Sequence, residues 1–162
     1  MDDGAHAGRI LTREQAISVA AGIRRTGGRL VVTNGCFDLL HVGHVRYLKQ
    51  ARLFGDFLMI GLNTDASVRQ LKGPMRPIVG EEDRAEVLAS LRCVDYVTLM
   101  PEDTAESLVR DVRPHVYVKG SDYCLDNCPE ARVVIADGGE ARFIDLVPGR
   151  SSTAISARIA GM

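Results

Sequence analysis

The sequence is 162 residues long, which gives room for one domain with a full hydrophobic core but not for two. Hydrophobic residues make up 46% and charged residues 25% of the chain, and the formal net charge is −1. This balance disfavours a nucleic-acid partner, because such domains usually carry a basic surplus, and no apolar run approaches the ~18 residues of a membrane span.

The beginning of the chain is acidic and rich in glycine and alanine, without the apolar segment of a signal peptide. We therefore expect a flexible leader over 1–10, a single domain over 11–162 and a cytoplasmic location. Of the four cysteines, only Cys124 and Cys128 are close in sequence, and neither has a C-x-x-C partner or a histidine cluster beside it. Reduced thiols therefore fit the sequence better than a zinc site.

Helix and strand patterns alternate along the chain. Thr12 and Gln15 have the spacing of a capping box at the start of the first helix, and Gly27 and Gly28 end that helix. In chain order, the predicted elements are a helix over 12–25, a strand over 30–33, a helix over 43–54, a strand over 57–62, a helix over 65–71 capped by Asp65, a helix over 81–91, a strand over 96–99, a helix over 102–112, a strand over 115–118, a helix over 129–136, a strand over 141–144, and a helix from Ser151 or Ser152 to about 159.

Five short strands that alternate with helices predict an α/β fold, in which a parallel sheet is covered by helices on both faces. In such sheets, ligands bind outside the carboxyl ends of the strands, near the switch in strand order. The loop after the first strand, from Asn34 to His41, is therefore the first place to look for a site.

Two histidines stand at the start of the helix that follows this loop. His41 and His44 are three residues apart, so both can reach one ligand from the first helical turn. A helix N-terminus favours phosphate, and Gly43 removes a side chain where a phosphate would approach the backbone. Because imidazoles can donate to phosphoryl oxygens as charge develops, we predict that His41 and His44 are catalytic.

The residues next to the histidines can be interpreted in more than one way. Gly35, at the end of the strand, is expected to leave space for a phosphate as Gly43 does. Asp38 either forms the turn or orients a site histidine, and Phe37 fits the core better than a ligand contact. A single histidine at a helix start is usually a cap or a surface residue, so the prediction depends on the pair.

The run from Asn34 to His44 resembles the G-x-F-D…H-x-G-H motif of the cytidylyltransferase-like nucleotidyltransferases, and the resemblance extends from about Val31 to Ile159. It is closest to the adenylyltransferases of bacterial ADP-heptose synthesis through 62–68, 71–77 and 118–123, although Ser121 replaces their usual glycine. The resemblance implies a Rossmann-like three-layer sandwich with a five-stranded parallel sheet in the order 3-2-1-4-5. It also implies transfer of AMP from ATP to D-glycero-β-D-manno-heptose 1-phosphate, with release of pyrophosphate.

The resemblance further implies which residues bind each substrate. The expected nucleotide-binding residues are Asn34, Gly35, Cys36, Phe37, Gly43, Lys119, Gly120, Asp122, Ser151, Ser152 and Thr153. The expected acceptor-binding residues are Asp38, Lys72, Arg76 and Arg84. Because the sequence has no carboxylate cluster suited to a resident metal, we expect Mg²⁺ to arrive with ATP.

The segment 146–152 matches a nucleotide-binding stretch of the related glycerol-3-phosphate cytidylyltransferase, but Leu146 replaces its opening arginine. The hydroxyls and N–H groups of Ser151, Ser152 and Thr153 at a helix start are a second natural anion site. An ordinary serine cap, and solvated cations at Lys72 and Arg76, are the plainer interpretations.

Three other functions remain open. The acceptor and nucleotide could be glycerol 3-phosphate with CTP, or FMN with ATP, and a nucleotide-sensing module is a non-enzymatic alternative. The intact histidine pair argues against a sensor, which does not need transition-state donors. Relatives are often dimers, so a homodimer is a further expectation.

Overall fold

The computed structural model describes residues 8–161. Its elements, in chain order, are β1 (Arg9–Leu11), α1 (Arg13–Arg25), β2 (Leu30–Gly35), α2 (Val42–Arg52), β3 (Phe57–Asn63), α3 (Asp65–Lys72), α4 (Glu81–Ala89), β4 (Tyr96–Met100), α5 (Glu106–Val112), β5 (Val116–Gly120), α6 (Pro129–Ala136), β6 (Glu140–Ile144) and α7 (Ser152–Ala160).

The strands form one parallel sheet with helices on both faces, which confirms the predicted α/β class. The sheet has six strands in the order β1-β4-β3-β2-β5-β6, so the prediction of five strands in the order 3-2-1-4-5 was wrong. The added strand is β1, which pairs with β4 through Ile10 and Val97 at the sheet edge. The other five strands, numbered by themselves, do lie in the predicted order.

The first strand also corrects the expected leader. Arg9 and Ile10 belong to β1, whereas the sequence placed them in a flexible segment; residues 1–7 lie outside the described residues. A segment of three residues is too short to show the alternation of a strand, and two of these residues are exposed. Only the pairing with β4 therefore identifies the segment as a strand. Leu11, the third, is buried in the core.

Two of the predicted strands continue for two residues beyond their predicted ends. β2 continues through Asn34 to Gly35, paired with β3, and β5 continues through Lys119 to Gly120, paired with β6. The sequence placed these four residues in loops because their polar and glycine character resembles a turn. Their pairing in the sheet fixes their backbone at its carboxyl edge.

The N-termini of two helices differ from the prediction, α3 in its cap and α5 in its first residue. Thr64, and not Asp65, caps α3, because its hydroxyl accepts a hydrogen bond from the Ser67 N–H. α5 begins at Glu106 and not at Glu102, whose carboxylate accepts two hydrogen bonds from Arg13.

The core lies on both faces of the sheet, as expected for buried parallel strands. On one face the strands pack against α1, α5 and α6 through buried residues such as Ala20, Leu108 and Val134. On the other they pack against α2 and α4 through Leu48 and Leu88. α7 contributes no buried residue.

The chain changes direction across the sheet at β2. It continues from β2 through β3 to β4 on one side and then returns to place β5 on the other side of β2. The crevice outside the carboxyl ends of β2 and β5 is therefore the switch point at which such sheets bind ligands.

Candidate active site

A cavity of about 630 Å³ opens at this switch point, between the carboxyl ends of the central strands and the beginnings of α2 and α7. Its size suits a small-molecule ligand. It is lined by Asn34, Gly35, Cys36, Phe37, Asp38, His41, Gly43, His44, Tyr47, Asn63, Leu71, Lys72, Asp103, Lys119, Gly120, Asp122, Tyr123, Leu146, Val147, Arg150, Ser151, Ser152 and Thr153. Every residue predicted from the sequence lines it except Arg76 and Arg84.

His41 is the N-cap of α2. Its Nδ1 accepts a hydrogen bond from the Gly43 N–H at 3.1 Å, which satisfies one of the free donors of the first turn. In a neutral imidazole, an accepting Nδ1 leaves the proton on Nε2. A Cβ on Gly43 would lie 2.8 Å from the His41 ring, so the glycine makes this capping geometry possible.

His44 stacks on His41, with ring centroids 3.9 Å apart and planes at 25°, and its ring centroid lies 5.1 Å from that of Phe37. Burial, together with the nearby His41 and Lys72, lowers the pKa of His44 to about 4. Burial and the Arg150 charge also lower the pKa of His41. Both imidazoles are therefore neutral at pH 7 and can act there as hydrogen-bond donors.

The Nδ1 atom of His44 is buried and has no hydrogen-bond partner among residues 8–161. A buried polar atom without a partner costs free energy, and such atoms are rare in native proteins. Its position in the cavity wall makes it a candidate contact for a ligand.

Asn34 is held by two donors from β5. The Tyr117 hydroxyl donates to Asn34 Oδ1 at 2.5 Å, and Lys119 Nζ donates to the same oxygen at 3.0 Å. The Lys119 ammonium also lies 4.9 Å from the centre of the Tyr123 ring. Since both bonds go to Oδ1, the amide nitrogen of Asn34 remains available as a donor to the cavity.

Asp38 anchors the loop between α3 and α4. Its Oδ1 accepts from the N–H groups of Ile78 and Val79 at 2.8 and 2.9 Å, and its Oδ2 accepts from Arg76 at 2.9 Å. Burial alone raises the pKa of Asp38, but these donors together bring its pKa below the ordinary value. Its carboxylate is thus committed to the loop, so the structure does not support the interpretations in which it orients a histidine or binds the acceptor.

Arg76 does not line the cavity. Besides its ion pair with Asp38, it donates to Ser156 Oγ at 2.9 Å and so connects the loop to α7. Its assignment to the acceptor stays a prediction, and in the structure two of its N–H groups are bound to the protein.

Arg84 is the clearest correction. It is only 2% exposed, and it donates to the carbonyl oxygens of Cys36, Asn63 and Val79. It also forms a 2.7 Å ion pair with Asp65. Arg84 therefore supports the cavity wall from behind and does not reach an acceptor; an arginine on a helix gave no sign in the sequence of this burial.

Lys72 ends α3 and lines the cavity beside Cys36. It makes no hydrogen bond or ion pair with the described residues, so its charge remains available for a ligand. Burial raises the pKa of the Cys36 thiol, although Lys72 acts in the opposite direction. The Cys36 Sγ donates a weak hydrogen bond to Asn63 Oδ1 at 3.9 Å.

α7 brings its first turn to the cavity. Ser151 is the cap, because its Oγ accepts from the Ala154 N–H at 3.1 Å, while Ser152 Oγ donates to the Leu39 carbonyl at 3.3 Å. The plainer reading of Ser151 as a helix cap is thus correct for its hydroxyl. The same cap aims the beginning of the helix at the cavity.

Several lining residues were not predicted from the sequence: Tyr47, Asn63, Leu71, Asp103, Tyr123, Leu146, Val147 and Arg150. Tyr47 read as part of the apolar stripe of its helix, yet its hydroxyl donates to the Val118 carbonyl at 3.1 Å. Arg150 carries the strongest missed signal, a cation directly before the serines that begin α7.

Within 8–161, no group of three or more histidine, cysteine or acidic side chains could hold a metal ion. Cys124 is exposed, whereas Cys128 is buried, with its Sγ donating to Glu130. No helix in the same range is long and apolar enough to cross a membrane.

Comparisons with known proteins identify the family of this chain. A family profile described as cytidylyltransferase-like matches residues 32–155. The bifunctional protein HldE of Geobacter sulfurreducens is 52% identical over 147 residues, which is 88% of this chain and 30% of that protein. The bifunctional protein HldE of Methylobacillus flagellatus is 48% identical over 156 residues, which is 96% of this chain and 32% of that protein.

The chain thus spans about a third of the length of these curated relatives. Among solved structures, the lipopolysaccharide core biosynthesis protein from Thermoplasma volcanium is similar, with a TM-score of 0.61 and 28% identity. The match covers 75% of this chain and 98% of that one.

Proposed function

The chain belongs to the cytidylyltransferase-like family, and from this membership we propose that it is a nucleotidyltransferase that joins D-glycero-β-D-manno-heptose 1-phosphate to the AMP part of ATP. Pyrophosphate is the second product. The observation that carries the proposal is the stacked pair of neutral histidines, His41 and His44, at the beginning of α2 in the cavity wall.

The histidine pair suits phosphoryl chemistry. Because His41 Nδ1 accepts from the Gly43 N–H, the Nε2–H remains as the free donor of the ring. A neutral donor can bind a phosphoryl oxygen and strengthen that bond as negative charge develops in the transition state. The α2 N-terminus adds its free N–H groups and the positive end of its dipole to the same place.

The reaction needs no strong base. The acceptor phosphate is largely ionised at pH 7, because its second pKa is about 6. One of its oxygens attacks the α-phosphorus in line, and the bond between the α-phosphorus and the bridging oxygen breaks. The electron pair leaves with pyrophosphate. The task of the protein is to bring together two anions that repel each other.

Lys72 is the acceptor-binding residue that the cavity favours. Its ammonium has no ion pair with the described residues and is close enough to His44 to lower the pKa of that imidazole. Asp38 and Arg76 support acceptor binding indirectly, because they fix the loop that follows Lys72.

Mg²⁺ fits the cavity as an ion bound mainly by substrate. Within the described chain, Asp103 and Asp122 are the lining carboxylates that make no hydrogen bond or ion pair. Mg²⁺ is usually coordinated by only one or two protein carboxylates, and phosphate and water complete its coordination shell. Bound there, Mg²⁺ would neutralise part of the phosphate charge.

The sugar and the base rest on similarity. The resemblance to heptose 1-phosphate adenylyltransferases and the identity of about one half to the HldE proteins favour a heptose and ATP. Leu146, in place of the arginine of glycerol-3-phosphate cytidylyltransferase, argues against CTP. A cytoplasmic location and a homodimer stay predictions.

The test is pyrophosphate release with four nucleoside triphosphates and several sugar 1-phosphates. With the heptose 1-phosphate, we expect kcat/KM for ATP to exceed that for CTP by at least about tenfold, or about 1.4 kcal/mol. Equal or better turnover with CTP would replace the proposal by a cytidylyltransferase. Binding without turnover by any pair would favour the nucleotide-sensing alternative.

A further inference from the structure

The cavity contains three cations, and they are not equivalent. Lys119 is committed to Asn34 and to the Tyr123 ring. Lys72 and Arg150 line the cavity without a hydrogen bond or ion pair to any residue within 8–161. Lys72 was expected from the sequence to bind the acceptor, whereas Arg150 has no role yet.

Arg150 lies where the beginnings of two helices meet. It directly precedes Ser151, the cap of α7. A Cβ built on Gly43, in the first turn of α2, would lie 3.2 Å from the Arg150 Cβ. The Arg150 side chain is therefore attached to the backbone between the N-termini of α2 and α7, and both of these helix ends have free N–H groups at the same cavity.

The two free cations act on different members of the histidine pair. After burial, the charge of Arg150 is what lowers the pKa of His41. For His44, the neighbours that act in this way after burial are His41, when it is protonated, and the Lys72 ammonium. Each free cation is thus close to one histidine of the pair, Arg150 to His41 and Lys72 to His44.

Resting on the proposed transferase function, we propose that Arg150 binds the pyrophosphoryl part of the nucleoside triphosphate and stabilises pyrophosphate as it leaves. Lys72 takes the acceptor phosphate at the other end of the histidine pair. A guanidinium suits this role because its planar fork can bind two phosphate oxygens at once. The negative charge that moves to the bridging oxygen when its bond to the α-phosphorus breaks is then met by the positive charge of Arg150.

The discriminating experiment is calorimetric titration of Arg150→Gln with ATP, AMP and pyrophosphate, each in the presence of Mg²⁺. Arg158→Gln is the matched control, because Arg158 lies exposed in the last turn of the same helix and does not line the cavity. We expect the Kd of ATP and of pyrophosphate to rise at least about tenfold in Arg150→Gln. The Kd of AMP should stay within about twofold, and the control should bind all three ligands like the wild type.

Equal weakening of ATP and AMP would overturn the proposal, and so would unchanged binding of pyrophosphate. The sugar need not be known for this test. If the wild type binds pyrophosphate but not ATP, the adenylyl assignment fails, while the pyrophosphate titrations still decide the role of Arg150. If the wild type binds neither, the proposal for Arg150 fails with it.

Discussion

The hydroxyl of Tyr117 donates a 2.5 Å hydrogen bond to the side-chain oxygen of Asn34 across two neighbouring strands. Tyr117 is fully buried and Asn34 is 8% exposed, so the bond orients the amide from behind the cavity. With Lys119 donating to the same oxygen, the amide nitrogen is left without a partner among the described residues, in a side chain that lines the cavity. Asn34 is thereby a fixed donor at the carboxyl end of the central strand.

This orientation predicts the effect of Asn34→Asp. The change keeps the accepting oxygen but replaces the donor by a carboxylate oxygen, which repels phosphate. We expect kcat/KM for ATP to fall at least about tenfold with little loss of stability. Tyr117→Phe, which leaves the Lys119 bond in place, should lose less. Wild-type kinetics in Asn34→Asp would show that the amide nitrogen does not bind substrate.

The two roles of His41 can be separated by substitution. Asparagine also caps helices, so His41→Asn should keep the cap of α2 and lose the Nε2–H donor. We expect kcat to fall roughly 10²–10³-fold in His41→Asn and in His44→Ala. Urea denaturation should show His41→Ala to be less stable than His41→Asn by about 1 kcal/mol. Near wild-type turnover in both His41→Asn and His44→Ala would reject the catalytic assignment.

His44 makes stability depend on pH. Burial beside His41 and Lys72 lowers its folded pKa to about 4 from an ordinary value of 6.5, so the unfolded chain binds the additional proton between these values. The contribution of neutral His44 to the free energy of unfolding is therefore fully present above pH 6.5 and is lost as the pH falls toward 4. Between pH 7.5 and pH 5 this loss is about 2 kcal/mol.

The contribution of His44 is measured as a difference. His41 and His115 also have a lowered pKa and add to the acid sensitivity of the wild type. The free energy of unfolding should thus fall less in His44→Asn than in the wild type over the same pH range. Parallel curves for the two proteins would contradict the lowered pKa of His44.

Substitutions of Lys72 and Arg76 should have different effects, although the sequence analysis assigned both residues to acceptor binding. Lys72→Gln removes a free cation of the cavity, so we expect the KM of the acceptor to rise about tenfold with the KM of ATP and the stability unchanged. Arg76→Gln instead removes the ionic partner of the buried Asp38 carboxylate, and it should lower the free energy of unfolding by several kcal/mol. Thermal denaturation and initial rates distinguish the two; equal loss of stability in both would contradict the assignment.

Much of the cavity lining could be predicted because the residues that point to it are local in the sequence. His41, Gly43 and His44 stand together in sequence, and a helix N-terminus needs no distant residue to favour phosphate. The reason for Gly43 was incomplete, since its missing side chain also makes room for the His41 cap.

What could not be predicted depends on distant contacts. Tyr117 and Asn34 are 83 residues apart, and only the placement of β5 beside β2 brings them together. Arg84 has the residue type of a phosphate ligand, but its burial against three backbone carbonyls is a tertiary property. The sequence thus shows which residues are cations, but it does not show which of these cations line the cavity.

The edge strand has a consequence for how the chain folds. β1 finds its partner only in β4, where Arg9 pairs with Tyr96, so this contact closes a loop of more than 80 residues. Closing so long a loop costs entropy, and the strand pairing that offsets this cost forms only when β3 and β4 are in place. We therefore expect β1 to join late, and during synthesis the first strand must wait until β4 has left the ribosome.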